Sequence, residues 1–230
     1  MIRYIFKFVA SGEHFTFDVN PERNPTNFSH IKERAPWTEL DFHKCPGCTL
    51  SIAHFPYCPI ALDLQHAITT FRNVRSTDML DVTAETPLRT VHKRCDFQSG
   101  FQSYMGLVMA LSACPVLSKF RGAALYHLPF ASLDETIIRN VGFYLLKQHF
   151  LQKNNAKADF ELRGLAKIYD SVNVINLEFQ DRLRKASDKD GSLNAIMSWW
   201  STATLLTSMD AILAPYETMF VNKNPTPMSE

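Results

Sequence analysis

The segments whose apolar residues alternate all lie before residue 97, and the helical period prevails after it, which limits the fold more than any other feature. Before residue 97, short segments alternate with a period of two on either side of one helical segment. In residues 2–9, Tyr4, Phe6 and Phe8 oppose Arg3, Ile5 and Lys7, and in residues 14–19, Phe15, Phe17 and Val19 oppose His14, Thr16 and Asp18. With Ser11-Gly12-Glu13 between them, the two segments predict a β-hairpin. Residues 20–36, rich in Pro, Asn and charge, read as a loop, and Trp37–Phe42 alternates as a further short strand. Residues 59–73 place Ile60, Leu64, Ile68 and Phe71 on one helical face. Residues 79–86 and 88–95 form a second predicted hairpin around Thr86-Pro87, where Pro87 limits pairing.

Beyond residue 97 the helical period dominates. Gly106, Ala110 and Ala113 suit a closely packed helix over 101–113. Ser132-Leu133-Asp134-Glu135 is a capping box opening a helix over 132–151. Leu162, Leu165, Tyr169, Val172, Asn176, Phe179 and Leu183 mark one seam. After the loop Ser187–Gly191, Ile196, Trp200, Ala203 and Leu206 begin a second amphipathic helix, and the adjacent Trp199-Trp200 widens its buried stripe. Strands followed by helices, without βαβ alternation, define an α+β fold. It is expected to hold an N-terminal antiparallel sheet of about five strands and a helix-rich C-terminal half. Residues 1–155 are read as an α+β core carrying a metal knuckle, 156–215 as a helical hairpin packed on or extending it, and 216–230 as a flexible tail. The seam is expected to be used within the chain, with a homodimer through residues 160–213 as its other use.

A hydrophobic share of 46% with 17 phenylalanines supplies a large core and excludes a disordered chain. A net charge of +1 carries no strong nucleic-acid signal. No apolar run reaches the roughly 18–20 residues of a spanning helix. The opening Met1–Phe8 is interrupted by charge and does not read as a signal peptide. No membrane association is expected, and a cytoplasmic location is.

The five cysteines, an odd number in a chain of cytosolic character, point to metal or thiol chemistry rather than disulfides. Cys45-Pro46-Gly47-Cys48 sets two sulfurs on one tight turn, with Pro fixing one φ and Gly permitting a positive one. Pro59 makes Cys58 the N-cap of the following helix, where orphan N–H groups and the helix dipole favour a thiolate. Cys114-Pro115 repeats the arrangement between two helices. The expected metal ligands are Cys45, Cys48, Cys58 and Cys114. His54, Cys95 and His127 are alternative fourth ligands, and His54 has the advantage of lying between Cys48 and Cys58. Four thiolates suit a closed structural zinc site, the first expectation, and they also suit an iron–sulfur cluster. A dithiol redox pair in Cys45-Pro46-Gly47-Cys48 is the third chemistry.

Other residues carry weaker signals. His127 could act as a base with Arg139 as an anion clamp and Arg121 just upstream. Capping, however, already explains Glu135, and Arg139 stands four residues beyond it as an i,i+4 ion-pair partner. His92, Lys93 and Arg94, with Arg89 nearby, form a small basic patch that reads as edge-strand protection. There is no Gly-rich phosphate loop, G-x-S-x-G elbow, H-E-x-x-H or EF-hand loop.

Met1-Ile2-Arg3-Tyr4, the CPGC segment, Tyr57-Cys58-Pro59, Ala113-Cys114-Pro115 and His127-Leu128-Pro129-Phe130 together resemble a bacterial protein family of unknown function. The resemblance covers the chain to about residue 150 and implies a bacterial cytosolic origin but no activity. From the residues themselves, the expected role is a zinc-stabilised, non-enzymatic regulatory or interaction module. An iron–sulfur or dithiol redox protein, and an enzyme using the His127/Arg139 region, are the competing expectations.

Overall fold

The structure is a computed structural model, and it describes residues 1–197 and 209–221. Four antiparallel strands form one sheet in the order β2-β1-β3-β4: β1 Ile2–Phe8, β2 His14–Val19, β3 Met79–Glu85 and β4 Thr90–Asp96. Both predicted hairpins are present. In the first, Gly12 turns the chain at φ +73° and Arg3 pairs with Asp18 across the register at 2.8 Å. Tyr4, Phe6, Phe17 and Val19 lie on the buried face, as the period-two pattern requires. Helix α1, Pro59–Thr70, and helix α2, Phe97–Leu111, supply the partners for that face. Phe71 joins them at the centre, with ring centroids of Phe6, Phe17, Phe97 and Phe101 between 5.0 and 5.5 Å away, mostly edge to face. Such pairs add to the area they bury, which is how this core uses its phenylalanines.

The predicted strand at Trp37–Phe42 is not formed, so the sheet has four strands rather than five. Pro36 instead opens a single 3-10 turn, Pro36–Thr38, and one isolated bridge joins Glu39 to Tyr57. The Thr38, Glu39 and Phe42 N–H groups are spent on the carbonyls of Ala35, Pro36 and Glu39 in local turns, and Arg182 takes the Trp37, Glu39 and Leu40 carbonyls from across the fold.

Helix α3 is the short Arg121–Leu125, preceded by a 3-10 turn at Leu117–Phe120. Helix α4, Leu133–Lys153, begins with the expected capping box: Ser132 Oγ accepts from the Glu135 N–H at 3.2 Å, and Glu135 accepts from the Ser132 N–H at 2.7 Å. Arg139 forms no ion pair with Glu135. It donates to the Ala123 and Tyr126 carbonyls, at 2.7 and 3.1 Å, because Glu135 is held at the cap and the α3 carbonyls need donors. Helix α5, Arg163–Ala186, buries every residue of the predicted seam, from Leu165 through Leu183, in the same core as the sheet. Asp190 then accepts from the Ser76 N–H and hydroxyl, tying the following loop to the strand half. Residues 191–197 are helical, with Ile196 buried. Trp199, Trp200, Ala203 and Leu206 lie outside the described residues, as does the tail from 222 onward.

A candidate thiol centre and a second polar cavity

The sequence builds the thiol site from three rigid corners. Cys48 N–H donates to the Cys45 carbonyl at 3.0 Å, and Gly47 takes φ +76°, the pattern of a type II turn with Pro at its second position. Cys58 is the N-cap of α1, with Pro59 at the first helical position. Its own N–H donates to the Thr38 carbonyl at 2.8 Å, which anchors the corner to the 3-10 turn. Cys114 sits between α2 and the Leu117–Phe120 turn, and its N–H donates to Ser112 Oγ at 3.2 Å.

The fold brings these corners together. Cys45 lies within electrostatic reach of Cys58, Cys114 and Cys48, and Cys114 within reach of Cys58 and Cys48. Burial pushes the Cys45 thiol up to about 12, and the neighbouring sulfurs push the same way. Burial also raises Cys58 and Cys114, against an opposing pull from the N–H groups of Ile60 and Ala61 on Cys58 and of Val116 and Leu117 on Cys114. No complete cap hydrogen bond to Cys58 is formed. All five cysteines are free thiols.

Cys95 stands apart, buried in β4, where its sulfur would meet a Cβ at Gly100 at 3.4 Å. His54 is exposed in the 51–55 loop, and His127 hydrogen-bonds Tyr4 elsewhere in the core. Of the proposed fourth ligands, Cys114 is therefore the one that reaches the other three thiols.

The residue that sequence reasoning missed is Arg182. It is 2% exposed and donates to the Trp37 and Glu39 carbonyls through Nη1 at 2.8 and 2.7 Å, and to the Leu40 carbonyl through Nη2 at 2.9 Å. Among the described residues no carboxylate forms an ion pair with it. Burial lowers its pKa, and the opposing influence comes first from Cys58, then from Cys45 and Cys48. A buried guanidinium without an acid costs several kcal/mol unless negative charge is near. Here that charge can come from the Cys58, Cys45 and Cys48 sulfurs and, with a smaller influence, from the carboxylate of Glu178. The available sequence signal was a charged residue three positions after the seam residue Phe179, which ordinarily marks a solvated flank.

The sulfurs are not drawn in to the spacing of one small ion. Tetrahedral zinc with Zn–S near ~2.3 Å would set its sulfurs about 3.8 Å apart. Among the described residues, the group of three or more ligand atoms within 4.8 Å of one another is His43, Glu178 and Asp181. His43 and Asp181 are both well exposed and 3.9 Å apart, and Asp181 is already shared with Arg184.

A second polar site lies behind α2. Tyr4 Oη is 2.7 Å from Ser103 Oγ and 2.6 Å from His127 Nε2, and Ser103 Oγ accepts from the Phe130 N–H at 3.0 Å. His127 and Arg139 line one cavity of about 260 Å³. Arg121 is not part of it and donates instead to the Pro21 carbonyl at 2.6 Å. Burial, with the Arg139 charge beside it, drives the His127 pKa down to about 3. The unfolded chain then binds a proton at His127 below its ordinary 6.5 while the folded one refuses it. Lys93 and Arg139 line the same cavity as His127, and of the two it is Arg139 that opposes its protonation. Stability should fall as pH drops from 6.5 toward 3, and His127→Gln should lose at least about 1 kcal/mol less over that range in urea titrations. Parallel pH profiles for the two proteins would contradict it.

Four antiparallel strands layered against helices, with a thiol-lined corner over a buried cation, define this as an α+β protein with a candidate cysteine centre. The family described as "Domain of unknown function (DUF6901)" matches residues 2–221, and the chain belongs to it. No curated protein and no solved structure matches it. No helix among the described residues is long and apolar enough to cross a membrane.

Proposed function

We propose that Cys45, Cys48, Cys58 and Cys114 hold an iron–sulfur cluster, and that the protein is an electron-transfer or redox-sensing protein of the bacterial cytoplasm. The observation that carries this reading is Arg182, a buried cation on which the Cys58, Cys45 and Cys48 sulfurs act more strongly than the carboxylate of Glu178. A four-thiolate cluster bears net negative charge and would be stabilised there. When bound, the cluster would supply one-electron chemistry. The protein's residues do the rest. Two Cys-Pro corners and a Pro-Gly turn fix the sulfurs, backbone N–H groups at Cys58 and Cys114 favour their charged forms, and Arg182 ties the loop beneath them. Cys45, Cys48 and Cys58 are only partly buried, which leaves a route for electrons to a partner.

Serine in place of Cys45, Cys48, Cys58 or Cys114 should each abolish iron binding and visible absorption, whereas Cys95→Ser should keep both. A colourless wild-type protein with one zinc per chain would replace the cluster by the structural-zinc reading. A Cys114→Ser protein with full iron would remove Cys114 from the site.

A further inference from the structure

We propose that the cavity between α2, α3 and α4 binds a small amphiphilic carboxylate, its head held at Lys93, Arg139 and His127 and its hydrocarbon body lying over Leu107, Leu117 and Phe120. The cavity measures about 260 Å³, just under the ~300–1,000 Å³ of drug-sized ligand sites, so the occupant is small. Two cations line it and no acidic residue does, so the ligand is anionic. Lys93 extends from edge strand β4 and lies 5.8 Å from the centre of the Phe130 ring, and among the described residues no carboxylate forms an ion pair with it. Arg139 is oriented by the Ala123 and Tyr126 carbonyls, which fix its guanidinium at the wall.

The polar wall is ordered for such a head. The Phe130 N–H can only donate, so it occupies one acceptor position on Ser103 Oγ. The Ser103 hydroxyl is then free to donate to Tyr4, and Tyr4 to His127 Nε2. A chain running that way leaves the His127 proton on Nδ1, where it is a donor, and a carboxylate selects that tautomer. Facing this wall, α2 presents Gly106, where an added Cβ would meet nothing within 4 Å. The space is therefore open where a body would lie. The inference concerns a site separate from the cysteine centre, and either can fail alone.

Octanoate is the probe, titrated calorimetrically against the full-length protein. Saturable binding of one octanoate per chain is expected, weakened about tenfold or more in Lys93→Gln. Gly106→Leu should abolish binding while retaining the wild-type melting temperature, since its side chain enters open space. Octanol should bind at least about tenfold more weakly than octanoate. Octanol binding as tight as octanoate would overturn the carboxylate assignment. Binding unchanged in a folded Gly106→Leu protein would overturn the location, and no saturable octanoate binding to the wild type would overturn the proposal.

Discussion

Arg182→Met is expected to destabilise the protein by about 2–4 kcal/mol, a loss out of proportion to one helix residue. Methionine keeps much of the length and packing of arginine but removes the forked donors. Two carbonyls, those of Trp37 and Leu40, are then left without their partner where both residues are buried, while that of Glu39 keeps the Phe42 N–H at 3.2 Å. Each orphaned acceptor costs ~1–3 kcal/mol, and local rearrangement recovers part of the sum. Arg182→Lys should fall between the two, because an ammonium is a point donor that does not reproduce the planar fork. Urea denaturation of metal-free protein reads this directly, and a loss under about 1 kcal/mol would mean that the 36–58 segment is held by something other than Arg182. Metal-loaded protein should show a second effect of the same variant, a weaker grip on the cluster, because the thiolates lose their buried counter-charge.

Stripping the centre is the second change with a large expected effect. The segment from Pro36 to Cys58 contains one 3-10 turn and one isolated bridge, so its own backbone contributes little order. It is joined to the rest through buried Trp37 and Leu40, Arg182, the Cys58 corner and, in this account, the cysteine ligands. Because the ligands converge only in the folded chain, metal binding energy is folding energy. Chelation should therefore cost several kcal/mol and should act locally first. Amide exchange of Leu40, Cys48 and Cys58 should accelerate well before that of Tyr4 and Val82 in the sheet. Uniform acceleration across the chain, or none, would separate the cysteines from the stability of that segment.

Much of the fold was legible because period and position agreed. Tyr4 and Phe6 alternate with charged Arg3 and Lys7, the Ser132–Glu135 box has a single local solution, and the seam from Leu165 to Leu183 repeats cleanly enough to bury as written. The strand expected at Trp37–Phe42 gives way to the local turns that Pro36 opens, and its fixed course also depends on a residue no local window contains. Its carbonyls are claimed by a side chain more than 140 residues away. The same distance hid Arg182, since a charge flanking an apolar seam reads as solvent-facing until the loop that covers it is placed. The cysteine corners could be seen locally, each with its Pro, but the choice of Cys114 over His54 depended on how α2 ends against α1. The Ser103–Tyr4–His127 chain spans separations of 99 and 123 residues and leaves no local trace.

The most direct test of the central claim is the iron, sulfide and zinc content of untagged protein purified without oxygen, read beside its visible spectrum. The account predicts iron and acid-labile sulfide in equal amounts and a broad absorption that dithionite bleaches. Protein that carries neither iron nor zinc, and in which Cys45, Cys48, Cys58 and Cys114 all titrate as free thiols, would contradict it.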